Sequence, residues 1–299
     1  MGLTDRFRQV FIKALFKAES LAFLFLLPAF TGCNTDIEIV LPQAPPKLVI
    51  SSFISPENPR VEVSVTKSAA LVSPENNKSL NIITNATVWL SDKTDSVQLS
   101  LFKDTLYTAS NFPIVAGKTY YLRVTAPGGF AASASCLVPA KINQSLTARI
   151  DSSDVTPDNP EGFYRLALRW QDLPGEGDYY RVQAVAATGE AGSPIITNRQ
   201  NLNFLDEPQV RDLGSDGRTW EITTDAIFQY STLRDDGTLK YYDTYLLTAD
   251  RAYYEFHKSL FQYQLTNSFI DPIKLYSNVS GGLGIFGAYR LYNVQVPLK

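Results

Sequence analysis

Hydrophobic and polar positions alternate with a period of two through much of this chain. Val61, Val63 and Val65 are separated by Glu62 and Ser64, the pattern of a strand with one buried face. Tyr120, Leu122 and Val124 are spaced the same way within 119–125. Residues 86–90 and 97–101 predict further strands. Turn-forming clusters lie between them, at 73–77 around Pro74 and at Ala126-Pro127-Gly128-Gly129. Short strands with frequent turns over 47–142 predict an immunoglobulin-like or fibronectin type III-like β-sandwich. In a sandwich each strand needs only one apolar face, because the core lies between two sheets.

The polar stretch from Asp151 to Pro160 suggests a boundary. A second strand set follows. Tyr164, Leu166, Leu168 and Trp170 alternate with Arg165, Ala167, Arg169 and Gln171. The turn Pro174-Gly175-Glu176-Gly177-Asp178 then leads to 180–185, a hairpin candidate. Asp216-Gly217 and Asp236-Gly237 are further turn signals. One segment changes period. Thr248-Ala249-Asp250 can cap a helix, and Tyr253, Phe256, Leu260 and Phe261 fall near one face, with Tyr254 and Leu265 widening it. This predicts a helix near 250–265 inserted in a second sandwich over 143–299. The fold class is mainly β.

The N-terminus follows a different pattern. Arg6, Arg8, Lys13 and Lys17 precede an apolar run from Leu21 to Phe30, and small residues lead to Cys33. A basic region, a short apolar region and a small-residue cut site form a secretory signal. The terminal Cys33 makes it resemble a bacterial lipoprotein signal, in which the thiol is lipidated and becomes the new N-terminus. Residues 1–32 are then a signal peptide, helical in the precursor, and 33–46 a lipidated Cys and a Pro-rich tether. Pro42, Pro45 and Pro46 favour an extended form there. A transmembrane helix needs about 20 apolar residues, and this run is interrupted by Pro28. N-myristoylation fails because Arg6 follows Gly2 where Ser or Thr is needed. Phe30 departs from the lipoprotein pattern, where Leu is usual.

The formal charge is −3, and the signal segment is itself net basic, so the remainder is more acidic still. No basic patch is present, which argues against nucleic acid as a partner. With Cys33 lipidated, Cys136 is alone and reads as a small buried hydrophobe. No disulfide framework exists, so core packing must hold the fold. Aromatics are plentiful, with 17 Phe and 16 Tyr, which favours strands.

No catalytic constellation is found. His257 is the sole histidine; no Gly-x-Ser-x-Gly elbow accompanies it, and it reads as a partly buried helix histidine. Zinc sites need several His or Cys ligands, so no metal and no cofactor is assigned. Asp151, Asp154, Asp158 and Glu161 crowd one loop, but no Asp-x-Asp-x-Asp-Gly pattern appears, and a solvated linker is the preferred reading over calcium. Near the C-terminus, Gly281, Gly282, Gly284 and Gly287 stand within seven residues. No Lys follows, so a phosphate loop is disfavoured. The glycines read as structural, at a tight bend with close backbone approach before a strand at 288–292.

Asp271-Pro272, Tyr276-Ser277-Asn278 and Gly281-Gly282-Leu283-Gly284-Ile285-Phe286-Gly287 resemble the closing signature of domain of unknown function family 4249, Bacteroidetes lipoproteins. At the front, Cys33, Asp36-Ile37-Glu38-Ile39, Leu41-Pro42 and Lys47-Leu48-Val49-Ile50 agree with it. The acidic pair Asp36 and Glu38 resembles an export signal to the outer face of the outer membrane, with a solvated tether as the alternative. The resemblance implies no catalytic residues. It implies an outer-membrane lipoprotein that partners a TonB-dependent receptor, with the ligand unknown. Asp95-Ser96-Val97 and Asp104-Thr105-Leu106 resemble Bacteroidetes O-glycosylation sites, with Ser96 and Thr105 as acceptors. The leading expectation is a lipid-anchored envelope binding protein and not an enzyme. A structural or adhesive surface lipoprotein and a surface glycan hydrolase are the other readings.

Overall fold

The alternating segments fold as strands. In the computed structural model the described residues are 45–68, 81–153, 163–189, 193–214, 216–225, 239–265 and 273–297. Seven strands come first: β1 (Leu48–Ile54), β2 (Val61–Lys67), β3 (Thr87–Ser91), β4 (Ser96–Lys103), β5 (Leu106–Ala109), β6 (Thr119–Ala126) and β7 (Phe130–Leu137). Then follow β8 (Thr147–Ser153), β9 (Phe163–Gln171), β10 (Tyr179–Thr188), β11 (Asn198–Asn201), β12 (Gln209–Arg211), β13 (Thr219–Thr223) and β14 (Leu239–Ala249). Helix α1 (Arg251–Leu265) and the long strand β15 (Gly282–Pro297) close the chain. The protein is mainly β, with large open sheets. The helix expected near 250–265 is α1, and Asp250 caps it by accepting from Tyr253 N at 2.8 Å. Among the described residues no helix is long and apolar enough to cross a membrane. The 73–77 and 236–237 turns, the 151–160 boundary beyond Ser153, and everything before Pro45 fall outside the described residues.

The strands form a large sheet in the order β11-β10-β14-β15-β1-β2-β5-β4-β3-β6-β7, with β12 beside β10, and a three-stranded sheet β13-β9-β8. Strand β15 joins the two sides of the large sheet. Its first half runs parallel to β1, Gly282 opposite Leu48 through Ala288 opposite Ile54. Its second half runs antiparallel to β14, Tyr289 opposite Ala249 through Pro297 opposite Tyr241. The sheet is therefore continuous between residues on either side of the boundary expected near 142.

The buried faces are those that the alternation marks. Val61, Val63 and Val65 of β2 and Tyr120, Leu122 and Val124 of β6 pack in one cluster with Leu48, Ile50 and Phe286. Leu166, Leu168 and Trp170 of β9 pack in a second with Tyr180, Val182 and Tyr242. Each such side chain stabilises the fold by about 1.5–3 kcal/mol through apolar burial.

One local expectation fails. Pro174–Asp178 does not close a hairpin: β9 pairs with β8 and β13, while β10 pairs with β11, β12 and β14. The turn carries the chain from one sheet to the other. Trp170 and Tyr180 then meet across the core, ring centroids 6.0 Å apart, instead of lying side by side in one ladder. Burial of both aromatic faces between two sheets outweighs local pairing.

Candidate functional site

A cleft of about 730 Å³ opens between α1 and the segment 201–209. Leu260, Phe261 and Leu265 form one wall, and Leu202 and Phe204 contribute from the other side. These helix residues belong to the apolar stripe read from the sequence. Within α1 the buried positions are Tyr253 and Tyr254 of that stripe and the neighbouring His257, while Leu265 is 67% exposed. The helix thus docks through its first two turns and offers the rest of its apolar face to the cleft.

Polar groups line the same space. Arg181 of β10 stands opposite Gln209 of β12 in the antiparallel register. Arg181 Nη1 donates to the Tyr253 hydroxyl at 2.9 Å. Its Nε is buried without a protein partner, as are Glu207 Oε1 and Gln209 Oε1. Burial pushes the Glu207 carboxyl up, and Lys258 pulls it partly back. An apolar wall with a few convergent polar atoms is the usual character of a ligand site. Unpaired buried donors and acceptors cost about 1–3 kcal/mol each unless something binds them.

His257 lies at the inner edge of the cleft. Its ring stacks on Tyr253 at 4.1 Å, with Nδ1 at 3.0 Å from the Tyr253 carbonyl oxygen. Burial first, and then the Arg181 charge, pull its pKa down to about 3. A neutral, packed imidazole results. No nucleophile is hydrogen-bonded to it among the described residues.

A second hollow, of about 640 Å³, lies on the outer face of the β3-β6-β7 ladder, lined by Trp89, Tyr121, Arg123, Ser133, Ser135 and Asn278 among others. Trp89 is 41% exposed there, whereas Trp170 is 1% exposed in the core. Sequence alone does not separate these two tryptophans.

The residues singled out from sequence are dispersed. Cys33 lies outside the described residues. Ser96 is exposed at the start of β4, and Thr105 is half-buried in the β4–β5 turn, its hydroxyl 3.3 Å from that of Ser64. Cys136 is a buried free thiol, pushed well above its ordinary pKa by burial. Asp151, on β8, is half-buried and paired with Arg149 at 2.7 Å, while Asp154, Asp158 and Glu161 are outside the described residues. The glycines of the closing motif do not form one bend. Gly281 turns the chain at φ +76°, and Gly282, Gly284 and Gly287 lie within β15. A Cβ at Gly284 would fall on the Ile50 carbonyl, and one at Gly287 would press on Tyr253 of α1 at 3.2 Å. The motif therefore lets β15 approach β1 and α1 closely. Arg181, Glu207 and Gln209 were not anticipated. They sit in two segments far apart in the chain, β10 and the stretch 201–209, and carry no local signal.

The fold and cleft define a mainly β protein with a partly apolar ligand-sized cleft beside its single described helix. Residues 34–292 match the family model named domain of unknown function (DUF4249), and the chain belongs to that family. No curated protein matches it.

Proposed function

We propose that this chain is a lipid-anchored cell-envelope binding protein that captures cargo in the α1 cleft and serves a TonB-dependent outer-membrane transporter. The observation that carries the binding role is the cleft itself. Three buried side-chain atoms, Arg181 Nε, Glu207 Oε1 and Gln209 Oε1, lack protein partners and belong to residues lining one space whose other wall is apolar. A cargo with an apolar body and both hydrogen-bond donors and acceptors suits that lining. Anchoring rests on the basic and apolar N-terminal run that ends at Cys33, with lipid on that thiol; more than one acyl chain is needed for stable attachment. The transporter partnership rests on the resemblance described for the closing motif.

Native detergent extraction of the full-length protein from its own host, followed by pull-down, tests the reading. Recovery of one outer-membrane barrel is expected, and Cys33→Ser should abolish it by releasing the protein from the membrane. Absence of any barrel, with attachment to surfaces lost and nutrient uptake unchanged on deletion, would favour the adhesive reading instead.

A further inference from the structure

Asp172, Asp178 and Asp212 converge at one end of the second core. Asp172 follows β9, Asp178 precedes β10 and Asp212 follows β12. One carboxylate oxygen from each lies within 4.8 Å of the other two. Asp212 is 0% exposed and Asp172 5%. Both are held by the backbone through a single oxygen. Asp212 Oδ1 accepts from Gly177 N at 2.8 Å and Asp178 N at 2.9 Å. Asp172 Oδ2 accepts from Gly217 N at 3.2 Å. Of the remaining oxygens, Asp212 Oδ2 and Asp172 Oδ1 have no partner at hydrogen-bond geometry, although the Tyr180 hydroxyl interacts with the Asp172 carboxylate.

Two buried carboxylates, each with one oxygen pinned by the backbone, are unfavourable beside a third. The Lys141 ammonium, which donates to the Pro174 carbonyl at 2.9 Å, offsets the charge only in part. Asp178 registers the crowding: burial, then Asp212 and Asp172, push its pKa up to about 6. Asp216, whose Oδ1 accepts from Gly175 N, adds to the negative field.

We infer that Asp172, Asp178 and Asp212 form a divalent cation site, selective for calcium, that clamps the 174–178 turn to the end of β12. Every ligand is a carboxylate oxygen, which selects a hard cation over zinc or copper. Calcium bonds oxygen at about 2.3–2.6 Å, so two oxygens on one ion lie no more than about 5 Å apart. The observed spacing satisfies that limit without rearrangement. The orphaned oxygens become ligands, and the ion neutralises the charge that neither Lys141 nor hydrogen bonding removes. Calcium takes six to eight oxygens, so water or backbone carbonyls would complete the shell. Glu176, Gly177 and Asp178 also line a cavity of about 690 Å³ with Asp250 and Tyr276; the ion would hold that rim.

The test uses the full-length protein stripped with chelator and titrated with calcium chloride by calorimetry, with melting followed in parallel. Saturable binding and a rise in Tm are expected, with magnesium at least tenfold weaker. Asp178→Asn, at the least buried ligand, should fold and lose at least tenfold in calcium affinity. Asp212→Asn should abolish the response where it folds. Asp151→Asn, on β8 outside the cluster, should bind as the parent does. Absence of binding heat and of any Tm change at millimolar calcium would overturn the site. So would an Asp178→Asn variant that binds calcium as tightly as the parent.

Discussion

Ser133 and Ser280 exchange both of their backbone hydrogen bonds, Ser133 N to Ser280 O at 2.9 Å and Ser280 N to Ser133 O at 2.8 Å. This isolated bridge ties β7 to the chain just before β15. Gly281 follows at once, its Cα facing the Ala131 carbonyl so closely that no Cβ fits. Asn278 completes the fastening: its amide donates to Phe286 O at 2.7 Å and its Oδ1 accepts from Phe286 N at 3.0 Å.

Substitution of Gly284 is therefore expected to be severe. It combines φ of +109° with a β1 carbonyl where Cβ would stand. Gly284→Ala should cost about 2–4 kcal/mol, from backbone strain and displaced strand pairing together. Gly129→Ala is the control, since φ is +79° there with nothing within 4 Å. It should cost about 1 kcal/mol, the conformational share alone. Urea unfolding of both variants measures the difference.

Tyr253→Phe removes the acceptor of the Arg181 Nη1 bond while keeping the ring that packs on Phe53 and His257. A loss of about 1–2 kcal/mol is expected, because the guanidinium then has another buried donor unpaired. Arg181→Ala should act differently. Burial is the main cause that holds the His257 pKa down and the Arg181 charge adds to it, so the His257 pKa should rise part of the way, read by NMR on a chain with one histidine.

Acid should unfold the protein partly through His257. Its folded pKa, about 3, lies below the ordinary 6.5. The unfolded chain therefore binds the extra proton between these values, and stability is full above pH 6.5 and falls as pH drops below it, by up to about 1.4 kcal/mol per pH unit. Asp250 has the opposite sign: burial raises it from 3.8 to about 6, so its contribution is present at low pH and is lost as pH rises through 6. His257→Gln should flatten the acid limb of a Tm–pH curve, and Asp250→Asn should steepen it.

The helix cap separates those two roles of Asp250. Asp250→Ala removes the acceptor for Tyr253 N and should cost about 1–2 kcal/mol, whereas Asp250→Ser should restore most of it. Because α1 forms one wall of the cleft, the Ala variant should also weaken cargo binding. Thermal melting and a binding titration, run side by side, check both.

Local pattern was enough for most of the elements. The alternation around Val63, Leu122 and Leu168 marked strands and their buried faces, and Thr248-Ala249-Asp250 marked the start of α1. These signals are short-range consequences of a two-residue or 3.6-residue period. The same pattern did not reveal that Leu260, Phe261 and Leu265 line a cleft, because periodicity reports an apolar face and not whether another element covers it.

The sequence by itself determined a mainly β chain and the position of its helix, and it shows a basic and then apolar run before Cys33. Only the tertiary structure decided that β15 pairs with both β1 and β14, that the 174–178 turn crosses between sheets, and that Gly284 must admit the Ile50 carbonyl. It alone brought Arg181 to Gln209, and Asp172 and Asp178 to Asp212. The physical reason is shared. Strand register and sheet-on-sheet packing join segments far apart in the chain, and such pairings leave no periodic trace in any one of them.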